Sequence, residues 1–276
     1  MIQTESMLLP SFPGRYQNVG QPWRRLFHLD QHDRIVEQAC LSDEHETMSS
    51  RFVHGVGVGI VAREGAALSV PLRGPVIVVM NRPFGGVAEA LALGVWLRRL
   101  RQNVIVATSS MLRHVPGLDS ECLFFEPTTH MRNNESLARA REVLRADGCV
   151  VTAPAALSEA GWIHGNSDDR WHSVAVALAQ ATGASFLPVR VEGKGRWAGG
   201  HLARFGQSFA EYAVARELAD LSNTNLRLCF GRETTLETLG ADGGPGGIAS
   251  RLRTLTLDAA ADAVRSGLSV RPFRQT

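Results

Sequence analysis

The run Gly74-Pro75-Val76-Ile77-Val78-Val79-Met80-Asn81-Arg82-Pro83-Phe84-Gly85-Gly86 decides how this chain is read. Residues 76–80 are continuously apolar and mostly β-branched, which predicts a strand buried on both faces, as in a parallel sheet. A proline and two glycines then break the strand, so the backbone of this loop can approach a ligand closely. A plain strand-to-helix turn would show the same residues. Residues 87–100 follow as a predicted helix and 103–107 as a second buried strand, completing a β-α-β unit.

The alternation continues outward in both directions. Strands are predicted at 123–125, 148–151, 185–191 and 225–230, with helices at 136–146, 168–183, around 209–218 and, after a glycine-rich loop at 240–247, at 248–266. Upstream, residues 1–25 mix prolines, glycines and aromatics and read as an irregular lead-in, followed by two short helices at 26–40 and 44–56. The expectation is one α/β domain over 26–276, with a central, mostly parallel sheet of about seven strands flanked by helices. No internal repeat or low-complexity tract interrupts it. His54-Gly55-Val56-Gly57-Val58-Gly59 looks like a nucleotide loop only superficially, because it does not follow a predicted strand and lacks an acidic ribose partner.

Composition narrows the function classes. The 276 residues are 44% hydrophobic and 20% charged, with a formal charge of +2, which fits a globular chain and gives no sign of a polybasic one. Lys194 is the one lysine; every other basic residue is arginine, whose planar fork suits bidentate contacts to phosphate or carboxylate. A GC-rich coding sequence would leave the same bias. Cys40, Cys122, Cys149 and Cys229 are widely spaced and contain no C-x-x-C pair, so a reduced, cytoplasmic chain is expected. No export signal or membrane-spanning run is visible.

The stretch at 74–86 resembles the signature of the lysophospholipid, or glycerolipid, acyltransferase superfamily in its hemolysin-like bacterial branch, where a strand runs into Asn-His-Pro-x-Gly-Gly-x-Asp. The resemblance extends over about residues 26–235. Leu26-Phe27-His28-Leu29-Asp30 looks like the branch's opening helix, and 59–74 like its strand and turn before the catalytic loop. Leu123-Phe124-Phe125-Glu126-Pro127 is similar to its Ile-Pro-Val-Asp-Pro stretch, and 179–189 to the helix and Pro-Val strand near its last motif. The resemblance implies a glycerolipid acyltransferase-like fold and an acyl thioester as co-substrate, with no tightly bound cofactor and no metal. The donor carrier would be CoA, an acyl carrier protein or, more remotely, a tRNA, and the acceptor a small molecule or lipid. It also leaves room for a peripheral membrane contact through the apolar faces of the first helices.

The departures are specific. In that family a His-Asp dyad deprotonates the acceptor hydroxyl; here Arg82 stands at the His position and Ala88 at the Asp position, with Glu89 next to it. Arginine stays protonated and cannot act as a base near neutrality. The acceptor-binding loop of the family aligns with 152–158, where its Gly and Glu have become Ala155 and Ala156, leaving Ser158 as a polar contact. Two expectations follow. One is acyl transfer to an acceptor that needs no strong base, such as an amine, with Arg82 as clamp or oxyanion partner. The other is an inactive homologue that binds a ligand or partner. Arg82 pairing with Glu89 as a structural bridge fits either.

Asn81, Phe84, Gly85, Gly86 and Glu126 complete the substrate-binding candidates on the active face. His114 and His164 are the candidate replacement bases, with His130 and His172 in neighbouring loops; each also suits an exposed or capping role. The polar segment 158–170 reads as a lid, with Asp168 and Asp169 as caps of the helix that follows. Ser109 and Ser110 follow a strand but lack a nucleophile elbow, and Cys122 reads as core.

Overall fold

The structure is a computed structural model, which describes residues 18–42, 47–62, 66–83, 85–125, 133–154, 171–193, 215–216, 218–240 and 244–265. In chain order these form α1 (Gln21–Leu26), α2 (Leu29–Leu41), α3 (Met48–Val56), β1 (Gly59–Ala62), β2 (Val76–Met80), α4 (Val87–Leu97), β3 (Val104–Ser109), β4 (Cys122–Phe125) and α5 (Asn134–Arg145). Then come β5 (Cys149–Thr152), α6 (Val174–Thr182), β6 (Ser185–Glu192), β7 (Asn225–Phe230), α7 (Leu236–Leu239) and α8 (Gly244–Arg265).

The strands form one seven-stranded sheet in the order β1-β7-β6-β2-β5-β3-β4. All adjacent pairs are parallel except β6 with β7, so the mostly parallel α/β sheet expected from the strand-helix alternation is what forms. β2 lies at the centre and is buried at every position, which explains why its sequence carries no polar alternation. Both faces are covered. Val76, Val78 and Met80 point into a core shared with α2, α3 and α4, whereas Ile77 and Val79 meet α6 and α8 on the other side.

Register places Pro188, Val79, Thr152, Ala107 and Leu123 in one row across β6, β2, β5, β3 and β4. The segments leaving β2, β5 and β3 therefore start at nearly the same level, on adjacent strands about 4.8 Å apart. This is where an open α/β sheet presents its ligand loops.

Some expected boundaries are corrected. The lead-in is helical from Gln21, where Pro22 occupies the first turn and loses no internal hydrogen bond. The helix expected from 168 begins at Val174 with Ser173 at its N-cap; Asp168 and Asp169 lie outside the described residues. The glycine-rich stretch expected as a loop to 247 is helical from Gly244, where Pro245 again falls in the first turn.

Candidate functional site

The loop after β2 is built from buried polar groups. Asn81 is 6% exposed, and its amide is used on both sides by β6: Nδ2 donates to the Val191 carbonyl at 3.0 Å and Oδ1 accepts from the Val191 N–H at 2.7 Å. The side chain thereby adds a rung to the β2-β6 ladder and fixes where the loop leaves the sheet. Its observed contacts are structural.

Arg82 follows at 3% exposure. Gly85 and Gly86 have φ of 114° and 96°, a region that side-chain-bearing residues rarely adopt, so the reversal into α4 requires glycine at both positions. Gly86 is the N-cap and has no side chain to offer. Glu89, at the third helical position and fully buried, reaches back instead, and its Oε2 accepts the Gly86 N–H at 3.1 Å. This is the returning half of a capping box, and it places the carboxyl group at the N-terminal end of α4. Ala88, where the resemblance places an aspartate, is 1% exposed and packs into the core.

Two strands across, Thr108 and Ser109 close β3 at 4% and 7% exposure, and a 3₁₀ turn, Ser110–His114, follows. That turn brings half-buried His114 against His32 of α2, with ring centroids 5.5 Å apart and planes at 34°. His32 is 2% exposed, and its Nδ1 lies 3.6 Å from Asp33 Oδ1. His32 was not a candidate from sequence, and no local signal singles it out, because its partner comes from a distant element. The Oγ1 atoms of Thr108 and Thr152 are buried and have no hydrogen-bond partner among the described residues, so both strand ends retain hydrogen-bonding capacity.

His172 has a capping role: its Nδ1 accepts the Val174 N–H at 3.2 Å beside the start of α6. Cys122, at 1% exposure, is core, and burial pushes its thiol up to about 12, with Arg98 pulling the other way. The candidates Phe84, Glu126, Ser158 and His164 lie outside the described residues, as do His130 and the segment 158–170. Among the described residues no group of three or more His, Cys, Asp or Glu side chains is arranged to hold a metal ion, and no helix is long and apolar enough to cross a membrane.

No protein-family model matches this chain, and no curated protein matches it. Among solved structures, the chain is similar to the 1-acyl-sn-glycerophosphate (LPA) acyltransferase PlsC from Thermotoga maritima. The identity is 14%, the TM-score is 0.45, and the match covers 91% of this chain and 86% of that one.

Proposed function

We propose that this protein transfers an acyl group from an activated thioester to an amine-type acceptor, using Arg82 in place of a base. The carrying observation is the setting of Arg82. A guanidinium that cannot deprotonate is buried in the loop at the end of the central strand, directly before the glycine reversal into α4. A permanent, poorly hydrated cation in such a loop suits the stabilisation of negative charge, whether on a carrier phosphate or on the oxygen of a tetrahedral intermediate.

In this reading the acceptor nitrogen attacks the thioester carbonyl and the carbonyl oxygen becomes anionic against Arg82. The C–N bond forms, and collapse of the intermediate breaks the C–S bond. The proton lost by nitrogen passes by way of His114 to the departing thiolate, giving an amide and a free thiol. The buried hydroxyl of Thr108, on the sheet face shared with α4, offers a donor and an acceptor for the polar part of the substrate. Proximity and orientation supply on the order of 7–11 kcal/mol in well-aligned reactions, so a site without a strong base can still be effective. Acyl-CoA and an acyl carrier protein are thioester donors that carry the phosphates such an arginine recognises; an aminoacyl-tRNA carries them too, but as an ester whose C–O bond would break to release a ribose hydroxyl instead of a thiol.

The test is thiol release from acyl-CoA and acyl-carrier thioesters, offered with amine and alcohol acceptors, for wild type and Arg82→Ala. Release that requires an amine and falls at least a hundredfold in the variant supports the reading. Wild-type release of thiol without an acylated acceptor would assign a hydrolase instead. Silence with every thioester, together with no acylation of the acceptor when aminoacyl-tRNA is the donor, would leave a binding protein. That outcome has support in the loop itself, because Asn81 and Glu89 are engaged in holding the fold together.

A further inference from the structure

The inward stripe of α2 carries one residue that polarity alone would not put there. Leu29, His32, Ile35, Val36 and Ala39 are the buried positions of the helix, at the three- and four-residue spacing that turns one face to the core. Four of them are apolar and the fifth is an imidazole at 2% exposure. A leucine would fill that position with no polar group to desolvate, so stability does not select histidine there.

What the imidazole meets is His114. Leu112 and Val115, on either side of His114, are fully buried and belong to the core that α2 enters through Ile35, Val36 and Ala39. The 3₁₀ turn and the helix are therefore pinned to the same core, and the backbone of His114 is held from both sides. Its ring lies against that of His32, with the centroids 5.5 Å apart and the planes at 34°, within the range of tilted and offset aromatic pairs. His32 is oriented in turn by its own neighbour. The Asp33 carboxylate lies 3.6 Å from Nδ1, which favours a proton on that nitrogen and disfavours the flipped ring.

We infer that His32 is a positioning residue, which holds the ring of His114 in the orientation from which it passes a proton. The inference rests on the acyl-transfer reading, in which His114 carries the proton from the acceptor nitrogen to the thiolate. Proton transfer needs heavy atoms within about 2.6–3.2 Å, and a displacement of about 1 Å can cost about a hundredfold in rate. The last torsion of a histidine is soft. A flat neighbour restricts it, whereas a branched aliphatic one packs against several orientations of the ring. That difference gives an imidazole at position 32 a use that leucine could not supply.

Two readouts on the full chain test this, and the first needs no activity. The ¹⁵N-edited NMR signals of the His114 ring, assigned by their loss in His114→Gln, should form one narrow set in wild type. His32→Leu should split or broaden them, and His32→Phe, which restores a flat ring, should return a single set. His32→Leu should also keep or raise the wild-type urea midpoint, because an apolar side chain replaces a buried polar ring; His32→Met gives the same comparison where the leucine variant does not fold. The second readout is thiol release from acyl-CoA with an amine acceptor. His32→Leu should lower kcat at least tenfold with KM within twofold, and His32→Phe should recover most of the loss. Unchanged His114 signals in a folded His32→Leu or His32→Met overturn the inference, as does unchanged kcat in either. Loss of the fold in both assigns His32 to the scaffold and overturns it too. A wild type silent with every thioester would defeat the acyl-transfer reading instead, and the ring signals would still decide whether His32 holds His114.

Discussion

Asn81 shows how a residue that reads as a ligand contact can belong to the scaffold. Both of its amide atoms engage the Val191 backbone in the buried centre of the sheet, so Asn81→Ala leaves a peptide N–H and a carbonyl there without partners. Each such orphan costs about 1–3 kcal/mol, and the expected loss is about 2–4 kcal/mol in urea unfolding. Asn81→Asp should fare no better, because a carboxylate can accept from the Val191 N–H but repels its carbonyl. A wild-type urea midpoint in either variant would contradict this role. Arg82 calls for a different experiment. Arg82→His with Ala88→Asp restores the residue types of the resembled dyad, and the expected outcome is new thiol release with alcohol acceptors at the expense of amine acceptors, measured on one donor. The sequence made this loop legible because a β-branched run, a proline and paired glycines are local signals. It could not show the bonding of Asn81 to Val191, nor the His32–His114 contact, since each joins residues brought together only by the folded sheet and its helices.

Element by element, the strands were the readable part. The central strands are buried on both faces, and burial of that kind demands the continuous apolar runs seen at 76–80 and 104–107. Helix ends were harder: the starts of α1 and α8 contain Pro and Gly, whose usual meaning as breakers is overridden in a first turn that lacks internal N–H bonds anyway. What locks the elements together is steric and arginine-based. Gly94 on α4 faces Val106 on β3 so closely that an added Cβ would overlap the valine methyl. Gly94→Ala should therefore destabilise by about 1–3 kcal/mol through overpacking, despite a helix-propensity gain of about 1 kcal/mol. Adding Val106→Ala should return part of the loss, a coupling readable in a double-mutant cycle. Arg101, 5% exposed, donates to three carbonyls: Pro71, Gly74 at 2.6 Å and Asp147 at 2.7 Å. It thus ties the turn before β2 to the turn before β5, the two neighbours whose far ends carry the site. Arg101→Met keeps the apolar stem and loses the fork, and about 2–4 kcal/mol of stability should go with it in the same urea assay. The arginine bias thus has at least one internal use, which composition alone could not separate from a coding bias.

At the scale of the whole molecule, composition and burial together fix an alkaline limit. Cys122 and Cys149 are free thiols inside the core shared with α2, α3 and α4, and desolvation pushes each up to about 12, with nearby arginines opposing. A thiol in the unfolded chain ionises near 9.0, so between that value and about 12 the unfolded state releases protons that the folded state keeps. The unfolded state then binds fewer protons, and stability must fall as pH rises through this window; it is fully present below it. Few other groups blur the effect, because the chain has one lysine and two tyrosines and its arginines stay charged. Urea midpoints taken from about pH 8 to about pH 11 should therefore decline with a slope set largely by these two thiols. Cys122→Ala with Cys149→Ala should start lower at neutral pH, through the cavities it leaves, yet lose less on the way up. Thiol labelling gives the matching kinetic result: Cys122 and Cys149 should react only when the native sheet opens, while Cys40, half-buried on α2, reacts first. An unchanged alkaline slope in the double variant would move the cause from the buried thiols to a group elsewhere in the chain.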